Sequence, residues 1–227
     1  MIKEIYILIG PAAIGKTTYT KNAGFPEGKL AVVSRDEVVA RVSQRYNLSF
    51  DDLYHFPPHD AIPGTYVPGF EWCGQVIPSP NVVKHLHPFS YEYLDSVNAE
   101  INYGFYNEFQ AAIRNPNIEF IVVDRVHMRK AERDAYFKYL RDRNDFVMCA
   151  VQFNFEDFDT IDVIEQVSQI RAKELGKTGK PRTVPRAVQE NMIKHYEPLE
   201  ETEGFNTIIK VDTLPSLREF IKQQHES

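Results

Sequence analysis

The chain has 227 residues, enough for one large domain or a domain carrying a sizeable insertion. Hydrophobic residues make up 43% and charged residues 26%, which supplies a buried core and excludes wholesale disorder. The formal net charge of −6 excludes a basic overall field, so any nucleic-acid contact must come from a local basic patch, and generic membrane-surface binding is disfavoured.

Cys73 and Cys149 lie far apart with no Cys-x-x-Cys pair, which argues against a disulfide framework or a thiolate zinc site. Cys149 falls in an apolar run and reads as a small core residue. No apolar stretch reaches the length of a membrane span, and Ile5–Ile9 meets Gly10-Pro11 without a signal-peptide cleavage site. A cytoplasmic protein is expected, in the host cytoplasm if viral, with no membrane and no obligate protein partner.

In chain order, the first predicted strand is Glu4–Ile9. It runs into Gly10-Pro-Ala-Ala-Ile-Gly15-Lys16-Thr17, which fits the P-loop pattern G-x-x-x-x-G-K-[ST] at every fixed position. A helix-compatible segment, Gly15–Asn22, follows. The glycines allow the backbone to curl, so that the N–H groups around Gly10, Ala12, Ala13, Ile14 and Gly15 turn inward toward phosphate oxygens. Lys16 is expected to reach the β- and γ-phosphates of ATP, Thr17 to hold Mg²⁺, and Thr18 to add a phosphate contact.

The second strand, Leu30–Ser34, leads into Ser34-Arg35-Asp36-Glu37 and a helix over Asp36–Tyr46. In a parallel sheet, ligands sit at the carboxyl ends of the strands. Asp36 is therefore read either as the acceptor of a hydroxyl proton or as a helix N-cap or first-turn acid. From Phe50 to Ser90 the rhythm breaks. Pro57, Pro58, Pro63, Pro68, Pro78, Pro80 and Pro88 forbid long helices and central strands, while Tyr54, Phe56 and Trp72 argue against a disordered linker. Such a segment is either functional or a structural cover. The histidines at 55, 59, 85 and 87 have no accompanying cysteine, and a metal site there is disfavoured.

A long helix is predicted over Tyr91–Arg114, then a strand over Ile118–Val123 closed by Asp124. An acid at the end of an apolar strand is the arrangement that holds Mg²⁺ beside a P-loop. Arg125 is read as a phosphate contact or as a partner of Asp124. Next come a helix over Met128–Arg143, a strand over Phe146–Phe153 and a helix over Thr160–Leu175. The segment Arg171–Arg186 carries Arg171, Lys173, Lys177, Lys180, Arg182 and Arg186 with Gly176 and Gly179. It is read either as a lid closing over ATP or as a solvated basic loop. A helix over Pro185–His195, a strand over Thr207–Val211 and a helix over Pro215–Gln224 complete the chain. Continuously apolar strands alternating with helices predict a doubly wound α/β fold with a parallel sheet.

These elements together resemble the kinase domain of the phage-type polynucleotide 5′-hydroxyl kinases, over residues 1–49 and about 98–200. The matching elements are Gly10–Thr18, Ser34-Arg35-Asp36-Glu37, Val122-Val123-Asp124 with Arg129 to Arg133, and Arg171-Ala-Lys173 leading to Val184-Pro185, Val188, Met192 and Tyr196-Glu197-Pro198. The resemblance implies a P-loop kinase fold with a five-stranded sheet in the order 2-3-1-4-5, a lid over 171–186 and an insertion over 50–97. It implies that Asp36 is the general base and that Arg171, with one of Lys173, Lys177 or Arg182, clamps ATP. It also implies metal-dependent in-line transfer to a hydroxyl of DNA or RNA. Arg35 and Arg125, beside Asp36 and Asp124, are candidate acceptor-side residues.

The chain departs from that family in four places. Val39 stands where end-healing members carry an arginine, and Arg125 stands where a small polar residue is usual. The insertion has no counterpart, and no phosphatase-type Asp-x-Asp motif follows. The insertion thus admits another acceptor, a hydroxymethylated pyrimidine base such as 5-hydroxymethyluracil. Tyr54, Phe56, Trp72 and Tyr91 are then read as a base pocket or as a satellite core. A small-molecule kinase and a nucleotide-driven switch are the readings without nucleic acid.

Overall fold

The computed structural model describes residues 2–48, 70–72, 75–77, 91–176 and 183–225. They form β1 (Lys3–Ile9), α1 (Lys16–Asn22), β2 (Leu30–Ser34), α2 (Arg35–Tyr46), β3 (Phe70–Trp72), β4 (Gln75–Ile77), α3 (Tyr91–Arg114), β5 (Phe120–Asp124), α4 (Lys130–Leu140), β6 (Phe146–Phe153), α5 (Thr160–Gly176), α6 (Arg186–Lys194), a 3₁₀ turn (Glu201–Glu203), β7 (Thr207–Val211) and α7 (Leu214–His225). None of the described helices is long and apolar enough to cross a membrane.

Five strands make a parallel sheet in the order β2-β5-β1-β6-β7, which is the expected 2-3-1-4-5 order. β1 pairs with β5 from Glu4↔Phe120 to Ile7↔Val123, and with β6 from Lys3↔Phe146 to Ile9↔Gln152. A central strand covered on both faces favours apolar residues, and Ile5, Ile7, Leu8 and Ile9 are fully buried.

By its internal packing the chain divides into two compact units, residues 1–32 with 116–227, and residues 33–115. In the first, Leu8, Ile14, Val122, Val151, Phe153 and Leu217 belong to one buried cluster, with the Tyr19 ring edge-on to Phe153 at 5.6 Å. Cys149 is buried there, and burial raises its thiol pKa to about 11, so it stays protonated and behaves as a small apolar side chain.

In the second unit, α2 buries Val38, Val39 and Val42, and α3 buries Val97, Ile101, Phe105 and Phe109 at four-residue spacing along one face. The two helices approach closely because Gly104 has no side chain: a Cβ there would lie 2.9 Å from Val38 Cγ1. Buried Glu100 accepts a bond from Arg45 and a 2.5 Å bond from the Tyr46 hydroxyl, and Arg41 is paired with Glu108. β3 and β4 pair antiparallel in a separate two-stranded sheet, with Trp72 opposite Gln75.

The predicted helix over Met128–Arg143 is shorter than expected at both ends. It starts after Arg129, whose backbone N–H donates to Glu132 Oε2 at 3.1 Å, and it stops at Leu140, whose carbonyl accepts from Arg143 in a closing turn at 2.9 Å.

Candidate active site

The phosphate-binding pattern takes the shape its residues dictate. A Cβ at Gly10 would stand 3.0 Å from Phe153 Cβ and 3.2 Å from Ile14 Cγ2, so only glycine lets the chain turn this close to β6. Gly15, immediately before α1, has φ 97°, a left-handed conformation that glycine adopts without strain. Ala13 is also left-handed at φ 64°. Two left-handed residues within three positions curl the loop. Thr213, just past β7, braces it from outside, its hydroxyl donating to the Ile14 carbonyl at 2.5 Å.

Lys16 is buried, with 8% exposure. A withdrawn ammonium needs oxygen partners. Its Nζ donates to the carbonyls of Gly10 at 3.0 Å and Pro11 at 2.6 Å, which aims the charge into the curve of the loop. The next residue, Thr17, donates from Oγ1 to Asp124 Oδ2 at 3.1 Å. Asp124 is the last residue of β5 rather than the residue after it. Thr17 and Asp124 are 107 positions apart, and the sheet brings them together as the hydroxyl–carboxylate pair that suits a hard divalent cation.

After Asp124 the chain turns from β5 to α4. Arg125 faces Glu132 at 3.7 Å, a loose ion pair. Val126 accepts the Gly10 amide at 3.2 Å. His127, fully buried and left-handed at φ 47°, has both ring nitrogens engaged: Nδ1 with the Leu8 carbonyl and Nε2 with the Tyr136 hydroxyl, each at 2.9 Å. A carbonyl only accepts, so Nδ1 carries the hydrogen and Nε2 accepts from Tyr136. Burial, reinforced by the nearby Arg125 charge, pulls the His127 pKa down to about 3, and the ring is neutral.

Arg133, from the motif Arg129–Arg133, is fully buried and is not available to a ligand. It makes a two-pronged fork with Glu203, from Nε and NH2 at 2.7 Å each, and also donates to the carbonyls of His127, Met128, Glu197 and Pro198. Burial pushes the Glu203 carboxyl up, but the Arg133 fork and a backbone bond from Glu200 outweigh it and hold it below its usual range. Tyr196-Glu197-Pro198 serves the same framework. The Glu197 amide donates to Met128 O at 2.9 Å, and the Tyr196 hydroxyl accepts from Gln152 at 2.9 Å.

The other expected residues lie as follows. Arg171, on α5, is half-buried with its guanidinium 6.0 Å above the Phe220 ring, and burial lowers its pKa. Lys173 is exposed on the same helix. Arg186 is gripped by Asp162, Glu165 and Glu190 within 2.9 Å, which makes it an anchor of α6 on α5. Arg35 and Asp36 open α2 in the second unit, where Ser34 is the N-cap and Asp36 a first-turn acid. Val39 is fully buried on the inner face of that helix. Trp72 ends β3, whereas Lys177, Arg182, Tyr54, Phe56 and the histidines at 55, 59, 85 and 87 lie outside the described residues.

Three residues that shape this region carry little signal in the sequence: His127, Thr213 and Glu203. Each stands in an ordinary context, and only Glu203, three residues after Glu200 at a short turn, carries a local capping signal.

No protein-family model matches the sequence, and no curated protein matches it. Solved structures do. A candidate kinase from Chloroflexus aurantiacus j-10-fl aligns at 14% identity over 99% of this chain and 94% of that one, with a TM-score of 0.53. A fungal RNA kinase aligns at 12% identity over 100% and 86%, with a TM-score of 0.50. A chain of the PezAT toxin–antitoxin system of Streptococcus pneumoniae aligns at 11% identity over 93% and 69%, with a TM-score of 0.51. At these identities the likeness is one of fold. With the strand order, the curled loop and the Thr17–Asp124 pair, it identifies the architecture as the P-loop kinase fold.

Proposed function

We propose that this protein is an ATP- and Mg²⁺-dependent kinase that transfers the γ-phosphate to a hydroxyl of a nucleic acid. The observation that carries the reading is the Thr17–Asp124 hydrogen bond beside a loop already curled around Lys16. Thr17 and Asp124 would hold Mg²⁺, which would neutralise charge on the transferring phosphate. Lys16 would leave its loop carbonyls for phosphate oxygens. Asp36 would accept the proton of the acceptor hydroxyl as its oxygen bonds to Pγ and the bond from Pγ to the bridging oxygen of ADP breaks. Arg171, with Lys177 or Arg182, would neutralise the transferring group, and Arg35, Arg125, Tyr54 and Trp72 would lie on the acceptor side. The fungal RNA kinase among the structural neighbours is in keeping with a nucleic-acid acceptor.

A 5′-hydroxyl end is the first acceptor. A hydroxymethylated pyrimidine base is the second, and one observation favours it. Val39, where end-healing relatives carry an acceptor-binding arginine, is buried, and nearby Arg41 is paired with Glu108.

The test is transfer of labelled γ-phosphate to a 5′-hydroxyl oligonucleotide and, in parallel, to a 5′-blocked duplex containing 5-hydroxymethyluracil. Label on the first establishes an end kinase, and label on the second alone a base kinase. Label on neither refutes the nucleic-acid reading and leaves a metabolite acceptor, for which transfer would show little dependence on salt.

A further inference from the structure

β1 is laced differently on its two sides. The Lys3 amide bonds Asp145 on the β6 side, while the Glu4 and Gly10 amides bond Glu119 and Val126 on the β5 side. Even-numbered residues of β1 therefore face β5. The β1–β6 register runs on to Ile9↔Gln152, but the β1–β5 register ends at Ile7↔Val123. Beyond that point β5 leaves β1, and its last residue, Asp124, meets Thr17. The parting leaves the Leu8 carbonyl, on the β5 side, past the end of its ladder. A buried carbonyl requires a donor. The His127 ring supplies it from Nδ1, and Tyr136 fixes the ring from the other nitrogen.

We infer that His127 is a positioning residue: a side chain standing in for a rung of the sheet, which sets the opening between β1 and β5 and thereby the placement of Asp124 and Thr17 for a divalent cation. It holds the Leu8 carbonyl while its neighbour Val126 holds the Gly10 amide, so the two bonds bracket the entrance of the phosphate-binding loop. The left-handed backbone at His127, unfavourable for a residue with a side chain, delivers both contacts from consecutive residues. The inference rests on the metal–nucleotide reading of the site. It is separable from that reading because the lacing is a set of contacts within the protein that Gly10 amide exchange reports whether or not a nucleotide binds.

Two measurements on the full chain test it. Amide exchange at Gly10 reads the lacing directly. Affinity for Mn²⁺ with a non-hydrolysable ATP analogue present, against affinity for the analogue alone, reads the metal placement. His127→Ala should speed Gly10 exchange and weaken Mn²⁺ by about tenfold or more, as loss of a supporting residue behind a metal ligand does. Metal-free binding of the analogue should change less than about twofold by the same reasoning. His127→Gln, whose amide can donate to Leu8 and accept from Tyr136, should recover most of both losses.

Equal losses with and without metal, unchanged Gly10 exchange, or a glutamine variant no better than alanine would overturn the inference and leave His127 as core packing. Should His127→Ala fail to fold, Tyr136→Phe takes its place. It should shift both readouts in the same direction by a smaller factor, and unchanged values would overturn the inference. A wild-type chain that binds no metal–nucleotide would defeat the functional reading alone, since Gly10 exchange still decides the role of His127.

Discussion

Changing Glu203 to glutamine replaces a buried charge by an amide of nearly the same shape. In the native protein the carboxylate meets Arg133 Nε and NH2 at 2.7 Å each, with both side chains fully buried. An amide offers one oxygen to the fork, so its NH2 must face a guanidinium N–H in either orientation. The Arg133 charge then has no counter-ion. Breaking a buried pair from one side costs about 3–5 kcal/mol, against a total stability of about 5–15 kcal/mol for a domain. For a chain of this size that corresponds to a fall in Tm of about 6–20 °C. Differential scanning calorimetry and urea unfolding at pH 7.5 measure it. The double variant Arg133→Leu with Glu203→Leu should lose much less, because no unpaired charge remains, although the carbonyls of His127, Glu197 and Pro198 lose the Arg133 donor and Met128 keeps only the Glu197 amide. A Glu203→Gln protein within about 1 kcal/mol of wild type, or a double variant worse than the single, would refute the reasoning, since both contradict a dominant penalty for an unpaired buried charge.

Two further outcomes follow from the same structure. His127 has a native pKa near 3, against about 6.5 in an unfolded chain, so between those values the unfolded state binds the extra proton and stability falls as pH falls. The wild-type slope should exceed that of His127→Gln by up to about 1.4 kcal/mol per pH unit between pH 6 and 4, read from urea midpoints, and equal slopes would contradict the buried neutral ring. Gly104→Ala gains helix propensity but drives a Cβ to 2.9 Å from Val38, and overpacking of about 1–3 kcal/mol should outweigh the gain of about 1 kcal/mol. Thermal melts followed by circular dichroism should show a lower Tm, restored when Val38→Ala is added. A more stable Gly104→Ala would mean that α2 and α3 do not meet there.

The alternation of apolar runs with helical segments made the sheet legible. Leu30–Ser34, Phe146–Phe153 and Thr207–Val211 are strands over the residues expected, because short runs rich in Val, Ile and Phe favour extended backbone, although only Phe146–Phe153 is largely buried and the other two are the partly exposed edges of the sheet. Gly10–Thr17 was legible because its glycines answer a steric need that any neighbouring sequence shares. The roles of Arg133 and His127 were not. An arginine in a helix reads as solvated unless its acid is known, and Glu203 is 70 positions away. The His127 ring answers a carbonyl 119 positions earlier, a need created by where two strands part, which no local pattern records.

The most direct test of the central claim compares wild type with Asp36→Asn for two properties: Mg²⁺-dependent binding of ATP, and transfer of its γ-phosphate to the accepted oligonucleotide. The account predicts binding within about twofold of wild type, because the P-loop, Thr17 and Asp124 are untouched, and transfer reduced by about 10²–10⁴-fold, the usual contribution of a general base. Near-wild-type transfer by Asp36→Asn would contradict the assigned chemistry, and failure of the wild type to bind Mg²⁺ with ATP would contradict the site itself.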